Sequence, residues 1–132
     1  MIRPFRGQHP QVHPTAFIEA SAQVIGDVVI GEESSIWFNA VVRGDVFHIR
    51  IGDRTNIQDG TVVHVTNGTH ATILEDEVTV GHNVTLHGCY IERGCLIGMG
   101  SIVMTARASA LDQSSRRARS SLRARLCRRA RS

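Results

Sequence analysis

The chain has 132 residues with 42% hydrophobic, 20% charged and 5% aromatic side chains and a formal charge of +3, a mixture that suits one domain around one core. No apolar run approaches the roughly 20 residues of a membrane-spanning helix, and aromatics are too few for base-stacking platforms, so membrane and nucleic acid are set aside as partners. The opening Met1-Ile2-Arg3-Pro4-Phe5-Arg6 lacks a signal-peptide apolar stretch, which places the expected protein in the cytoplasm.

Charge and composition divide the chain near Met104. Residues 1–104 carry 6 Arg and 11 Asp+Glu, a net of −5, whereas residues 105–132 carry 9 Arg and 1 Asp, a net of +8. All 12 Gly, 14 Val, 12 Ile and 7 His lie in the first segment, and there is no Lys. Two segments are therefore expected, a domain over 1–104 and an Arg/Ser/Ala-rich tail over 105–132. The total charge is no argument for a nucleic-acid partner, because the body is acidic.

Along the first segment, aliphatic residues recur every six positions: Val12, Ile18, Val24, Ile30, Ile36, Val42, then after an interruption Ile51, Ile57, Val63. Beyond Thr66-Asn67-Gly68-Thr69 the beat returns at Leu74, Val80, Leu86, shortens by one residue, and ends at Ile91, Ile97, Val103. Four places after most of these stands a small or β-branched residue: Ala16, Ala22, Val28, Ser34, Ala40, Thr55, Thr61, Val78, Val84, Cys95, Ser101. A period of six fits neither a helix at 3.6 nor a flat strand at 2. It predicts short strands joined by tight turns, each hexad forming one side of a coil with its aliphatic residue inward and its small residue at the bend. Glycines directly after the aliphatic residue (Gly31, Gly52, Gly81, Gly98) are expected to relieve the turns. Stacked coils bond to one another and close each other's edges. The predicted fold class is all-β, a parallel β-helix, against an irregular β-sandwich as the alternative. The hexads resemble those of hexapeptide-repeat proteins over residues 10–104, which implies a left-handed triangular β-helix with three repeats per coil. Acyltransferases share that architecture, so the period alone names no chemistry.

Past Met104 the beat stops, and Leu111, Ser115, Ala118, Leu122 and Leu126 fall on one helical face. The spacing predicts a basic helix over 109–129, docked along the β-helix or binding anionic lipid or RNA. The abrupt loss of Gly, Val and Ile also fits a frameshifted terminus without selected function. The three cysteines (Cys89, Cys95, Cys127) match no zinc-finger spacing and are expected as buried thiols.

His64, His82 and His87 each lie one or two places past an inward aliphatic residue, where side chains leave the core. Imidazole is a common zinc ligand, and three protein ligands with one open position describe a catalytic site. Spacing alone is equally compatible with three scattered surface histidines. The flanking residues Arg43-Gly44-Asp45, Asn56-Ile57-Gln58-Asp59, Val63-His64, Gly81-His82-Asn83, His87-Gly88-Cys89 and Ile97-Gly98-Met99-Gly100 follow in that order. Together they resemble the γ-class carbonic anhydrase family.

This resemblance implies a homotrimer with a metal, Zn²⁺ or else Fe²⁺ or Co²⁺, at each subunit interface. His64 and His87 would come from one subunit and His82 from its neighbour. Arg43 and Asp45 match residues that pair across the subunit boundary, Asp59 matches a member of the same polar network, and Gln58 matches the residue that hydrogen-bonds metal-bound solvent. Asn56 is expected to cap a turn. The implied activity is reversible hydration of CO₂ to bicarbonate. Two features depart from the family: Val46 follows Asp45, and Val65-Thr66-Asn67-Gly68-Thr69-His70 follows His64, so the acidic loop and its proton-moving glutamate are absent. His70 or His48 are the candidates for that relay. The alternatives are a hexapeptide acyltransferase or CoA-thioester hydrolase, and a non-catalytic trimeric scaffold that keeps a metal for cohesion.

Overall fold

Each hexad carries one aliphatic residue between outward-facing neighbours, which makes a strand of two or three residues and then a bend. The computed structural model describes residues 1–105 and 107–109, together with the backbone of residues 128–129. The chain opens with β1 (Ile2–Arg3), β2 (Gln11–Val12), β3 (Phe17–Ile18), β4 (Gln23–Ile30) and β5 (Ser35–Ile36). The long β6 (Val41–Ile51) leads to β7 (Asn56–Ile57), β8 (Val62–His64), β9 (Thr72–Leu74), β10 (Thr79–Val80) and β11 (Thr85–His87). β12 (Tyr90–Ile91), β13 (Cys95–Ile97), β14 (Ile102–Met104), β15 (Arg107–Ala108) and β16 (Arg128–Arg129) complete the order. Among the described residues there is no helix.

Strand pairing sorts the hexads into three faces. On the first, Val24, Val42, Val63, Leu86 and Val103 are in register. The second aligns Val12, Ile30, Ile51, Leu74, Ile91 and Ala108. On the third, Ile18, Ile36, Ile57, Val80 and Ile97 are in register. All these pairings are parallel, so the chain is the expected parallel β-helix, consistent with the left-handed hexapeptide form. The three inward columns form one continuous core, buried from Val24 to Val103.

At the bends, the small residues fit under the next coil, and those with hydroxyls do more. Ser34 Oγ donates to Gly52 O at 2.6 Å and accepts from Thr55 N at 3.0 Å. Thr55 Oγ1 donates to Glu75 O at 2.8 Å and accepts from Val78 N at 3.3 Å. Each buried hydroxyl thus satisfies two backbone groups of the following coil, as buried polar atoms must be satisfied.

The turns correct the expectation about glycine. Left-handed backbone falls three places after the inward residue, at Glu33 (φ 52°), Arg54 (50°), Glu77 (59°), Asn83 (53°) and Gly60 (72°), rather than directly after it. The glycines directly after the aliphatic residue answer a different demand. A Cβ on Gly52 would lie 2.3 Å from Asp76 Oδ1 and 2.7 Å from the Glu75 carbonyl carbon, so close stacking of coils requires their absence of side chain.

Two stretches interrupt the hexads and meet. β6 keeps its strand character through residues 43–50, and the loop after β8 closes with a bridge between Thr66 and His70. Gly68 N then donates to Val46 O at 3.4 Å, joining the loop to β6. β16 pairs antiparallel with β13, so Arg128 and Arg129 are strand where a helix was expected. The rest of that helix, residues 110–127, and its docking alternatives lie outside the described residues. Cys89 is a buried free thiol as expected, whereas Cys95 is disulfide-bonded. Among the described residues no helix is long and apolar enough to cross a membrane.

Candidate metal centre

The first face carries a stripe of outward residues one place after each inward one: Ile25, Arg43, His64, His87 and Met104. His64 and His87 are direct register partners on β8 and β11. Their rings stand 5.2 Å apart in an edge-on arrangement. β6 brings Asp45 onto His64, and Gly44 lets β6 stack closely on β4, since a Cβ there would lie 2.6 Å from Asp27 O. Asp45 Oδ1 meets His64 Nε2 at 2.8 Å, while Arg43 Nη1 donates to Asp45 Oδ2 at 2.7 Å. The Asp45 side chain is only 11% exposed. Burial alone would raise its pKa, but the hydrogen bonds from His64 and the Val46 amide, with the Arg43 charge, together hold it below the ordinary carboxylate value. Arg43 and Asp45 therefore pair within one chain.

The inserted loop completes this half. Thr66 Oγ1 stands 3.5 Å from His87 Nδ1. Gly88, at φ 61°, lets the loop sit against the end of β11, because a Cβ would fall 2.8 Å from Thr66 Oγ1 and 3.0 Å from His70 Cβ. His70 is exposed and bonds Thr69 Oγ1 at 3.0 Å, and the His48 ring packs on Phe47 at 4.5 Å. A cavity of about 410 Å³ borders the loop, with Ile73, Tyr90, Arg107 and His70 in its lining.

His82 stands elsewhere. It is two places past Val80, at the corner between the third and first faces, with the strand residues Thr85 and Leu86 separating it from His87. Gln58 and Asp59 occupy the same corner one coil earlier, where Gln58 N donates to Val80 O at 3.1 Å and Asn83 N to Asp59 O at 2.9 Å. Asp59 is thus beside His82 and away from the Arg43–Asp45 pair within one chain. Its Oδ1 lies 3.8 Å from His82 Nδ1, beyond hydrogen-bond range. That Nδ1 is buried without a hydrogen-bond partner among the described residues. The side chain as a whole is 45% exposed, so the Nε2 edge faces outward. Phe38 and Met99, both exposed, bracket this corner in the neighbouring coils. Asn56 does not cap its own turn; its Nδ2 donates to Ser35 Oγ at 2.7 Å in the preceding coil.

Among the described residues, no three His, Cys, Asp or Glu side chains converge to hold a metal. One chain brings together two imidazoles with a carboxylate behind one of them, and presents the third imidazole at the opposite edge of the same face. The donor types fit a divalent transition metal. Reading the sequence by residue type missed Thr66, Gly88 and the buried hydroxyls behind the histidines. The signal for them was a small or hydroxyl residue at the bend of an interrupted coil.

The pattern described as "Bacterial transferase hexapeptide (six repeats)" matches residues 9–44. Over 93 residues, 70% of this chain, the sequence is 52% identical to the "Uncharacterized transferase YtoA" of Bacillus subtilis, covering 54% of that protein. It is 51% identical over 93 residues to a carbonic anhydrase of Geobacillus kaustophilus, covering 70% of this chain and 50% of that one. Over 88 residues it is 50% identical to the mitochondrial gamma carbonic anhydrase 1 of Arabidopsis thaliana, covering 63% of this chain and 32% of the relative. The chain spans about half the length of the first two relatives. The crystal structure of a hexapeptide transferase family protein from Anaplasma phagocytophilum superposes with a TM-score of 0.68 at 36% identity, covering 81% of this chain and 75% of that one.

Proposed function

This chain belongs to the hexapeptide-repeat family, and from that premise we propose a metal-dependent, carbonic-anhydrase-like homotrimer that interconverts CO₂ and bicarbonate. The observation that carries the reading is the division of the histidines. His64 and His87 sit at one edge of the first face and His82 at the other, so three imidazoles meet only where the two edges of different copies meet. An interface between unlike edges is heterologous and closes into a ring when its rotation does, and the resemblance to γ-class carbonic anhydrases implies a ring of three. Between the edges the face exposes Val62 and Ile102, with Met104, Phe38 and Met99 at its margins, a surface that would exclude water once docked.

The ligands would be His64 and His87 of one protomer and His82 of another. A Zn²⁺ ion held by these residues, or Fe²⁺ or Co²⁺ in its place, would supply Lewis acidity that makes water more acidic, for zinc towards a pKa of about 7. The chain's own groups do the rest. Asp45 orients His64 through Nε2 and is itself held by Arg43. Asp59, whose Oδ1 lies 3.8 Å from His82 Nδ1, would orient that ring. The Gln58 amide, at the His82 corner, orients solvent for attack on CO₂, and the proton leaves through His70 or His48.

Stopped-flow CO₂ hydration by metal-loaded protein tests this reading against a His87→Ala variant. The expected outcome is a fall to the uncatalysed background; equal rates would remove the role. A second reading, a CoA-thioester hydrolase or acyltransferase, is supported by the 52% identity to the "Uncharacterized transferase YtoA" and by the open surface depression of about 410 Å³ beside the loop. Competition between a CoA thioester and bicarbonate distinguishes the two. A scaffold role predicts instead that a chelator splits the trimer and that the loaded form shows no turnover.

A further inference from the structure

We propose that two buried threonine hydroxyls, those of Thr72 and Thr61, are positioning residues that set the backbone from which the three histidines project, a role that rests on the metal-centre reading above. Both side chains belong to residues with no exposed surface. Thr72 Oγ1 donates to His64 O and accepts from Gly88 N at 2.9 Å. The first group belongs to the peptide that follows His64 and the second to the peptide that follows His87. One hydroxyl therefore ties together the two peptide planes next to the paired histidines, one coil apart. Beside it, Gly88 N also approaches His64 O at 3.3 Å.

Thr61 does the same for the third histidine. Its Oγ1 donates to Gly81 O at 2.8 Å and accepts from Val84 N at 3.1 Å. These two groups stand on either side of His82, so the hydroxyl fixes the turn that carries it. A ligand imidazole must be held to within a fraction of an ångström for metal binding, and the groups behind it supply that constraint.

The same hydroxyl staple occurs where no histidine is present, which separates positioning from general stability. Thr55 brackets the turn from Glu75 to Val78 with the geometry of Thr61, far from any candidate ligand. Exchanging the Thr55 hydroxyl for a methyl removes its contacts with Glu75 O, Val78 N and Asp53 O, and nothing from the metal centre. Thr55→Val, Thr61→Val and Thr72→Val each remove a buried hydroxyl that bonds a backbone carbonyl and a backbone amide, and they differ in what stands on the stapled backbone.

The experiment measures Zn²⁺ affinity of the full chain by competition with a chromophoric chelator, alongside the Co²⁺ absorption spectrum and the melting temperature. All three valine variants are expected to melt earlier than the wild type. Thr55→Val should bind Zn²⁺ within about twofold of wild type, whereas Thr61→Val and Thr72→Val should bind about 10–100-fold more weakly and show an altered Co²⁺ spectrum. Thr61→Ser and Thr72→Ser, which restore the hydroxyl, should return to within about threefold. If a valine variant fails to fold, alanine at the same three positions gives the same comparison. Affinities and spectra of the Thr61 and Thr72 variants matching those of Thr55→Val overturn the proposal alone. A wild type that takes up no Zn²⁺ overturns the metal-centre reading and this role with it.

Discussion

Tyr90 and Glu75 form a hydrogen-bonded pair on the second face, with the Tyr90 hydroxyl donating to Glu75 Oε1 at 2.7 Å and Arg93 N donating to Oε2 at 2.9 Å. The Tyr90 hydrogen bond, with the Arg93 amide, lowers the Glu75 pKa below its ordinary 4.5, and the same bond raises Tyr90 above 10.0. A depressed carboxylate contributes stability that is complete above 4.5 and is lost as pH falls through its lowered folded value. A raised phenol contributes stability that is complete below 10.0 and is lost as pH rises through its folded value. Urea midpoints followed across pH should therefore decline less steeply at both extremes in Tyr90→Phe than in the wild type, and unchanged slopes would contradict the pairing. Burial pushes the Cys89 thiol up to about 12, so at pH 8 it should resist alkylation in the folded chain and react only after unfolding. At this scale the sequence was partly legible. His64 and His87 sit one place past an inward residue and His82 two places past, an offset that separates a strand from a corner. Arg43 and Asp45 were recognisable as a pair, but their closure onto His64 depends on the stacking of β6 on β4 that Gly44 allows.

The strands are held by their inward residue more than by their length, since β3, β5, β7 and β10 are two residues each. Ile57 is buried at the centre of the third column, between Ile36 and Val80. Truncating it opens a gap that stacked coils on both sides prevent from collapsing. Ile57→Ala should cost about 2–5 kcal/mol in denaturant unfolding, and a cost below about 1 kcal/mol would contradict a continuous core. The hexad beat made this element order readable, because each inward position recurs locally and needs no knowledge of distant partners. The turns were less readable. Left-handed backbone is taken by Glu33, Arg54 and Glu77 as well as by Gly60, so residue type does not mark the position. The glycines that residue type did mark are there because the next coil comes too close, which only stacking reveals.

For the whole molecule, the acidic body and the basic tail keep separate accounts. The β-helix extends beyond the compositional break at Met104 to β15, where Ala108 joins the second column, and the Arg-rich segment also contributes the described strand β16 on the third-face edge. The first face carries exposed Val62 and Ile102 in its middle, His64 and His87 at one margin and His82 at the other. The proposed sharing of these histidines between copies could not be read from spacing, because it depends on which corner of the coil each residue reaches. Native mass spectrometry of the Zn²⁺-loaded chain reads assembly and metal together and tests this division most directly. A trimer with about one metal per chain, losing its metal in His82→Ala, is the predicted result; a metal-free monomer would contradict the account.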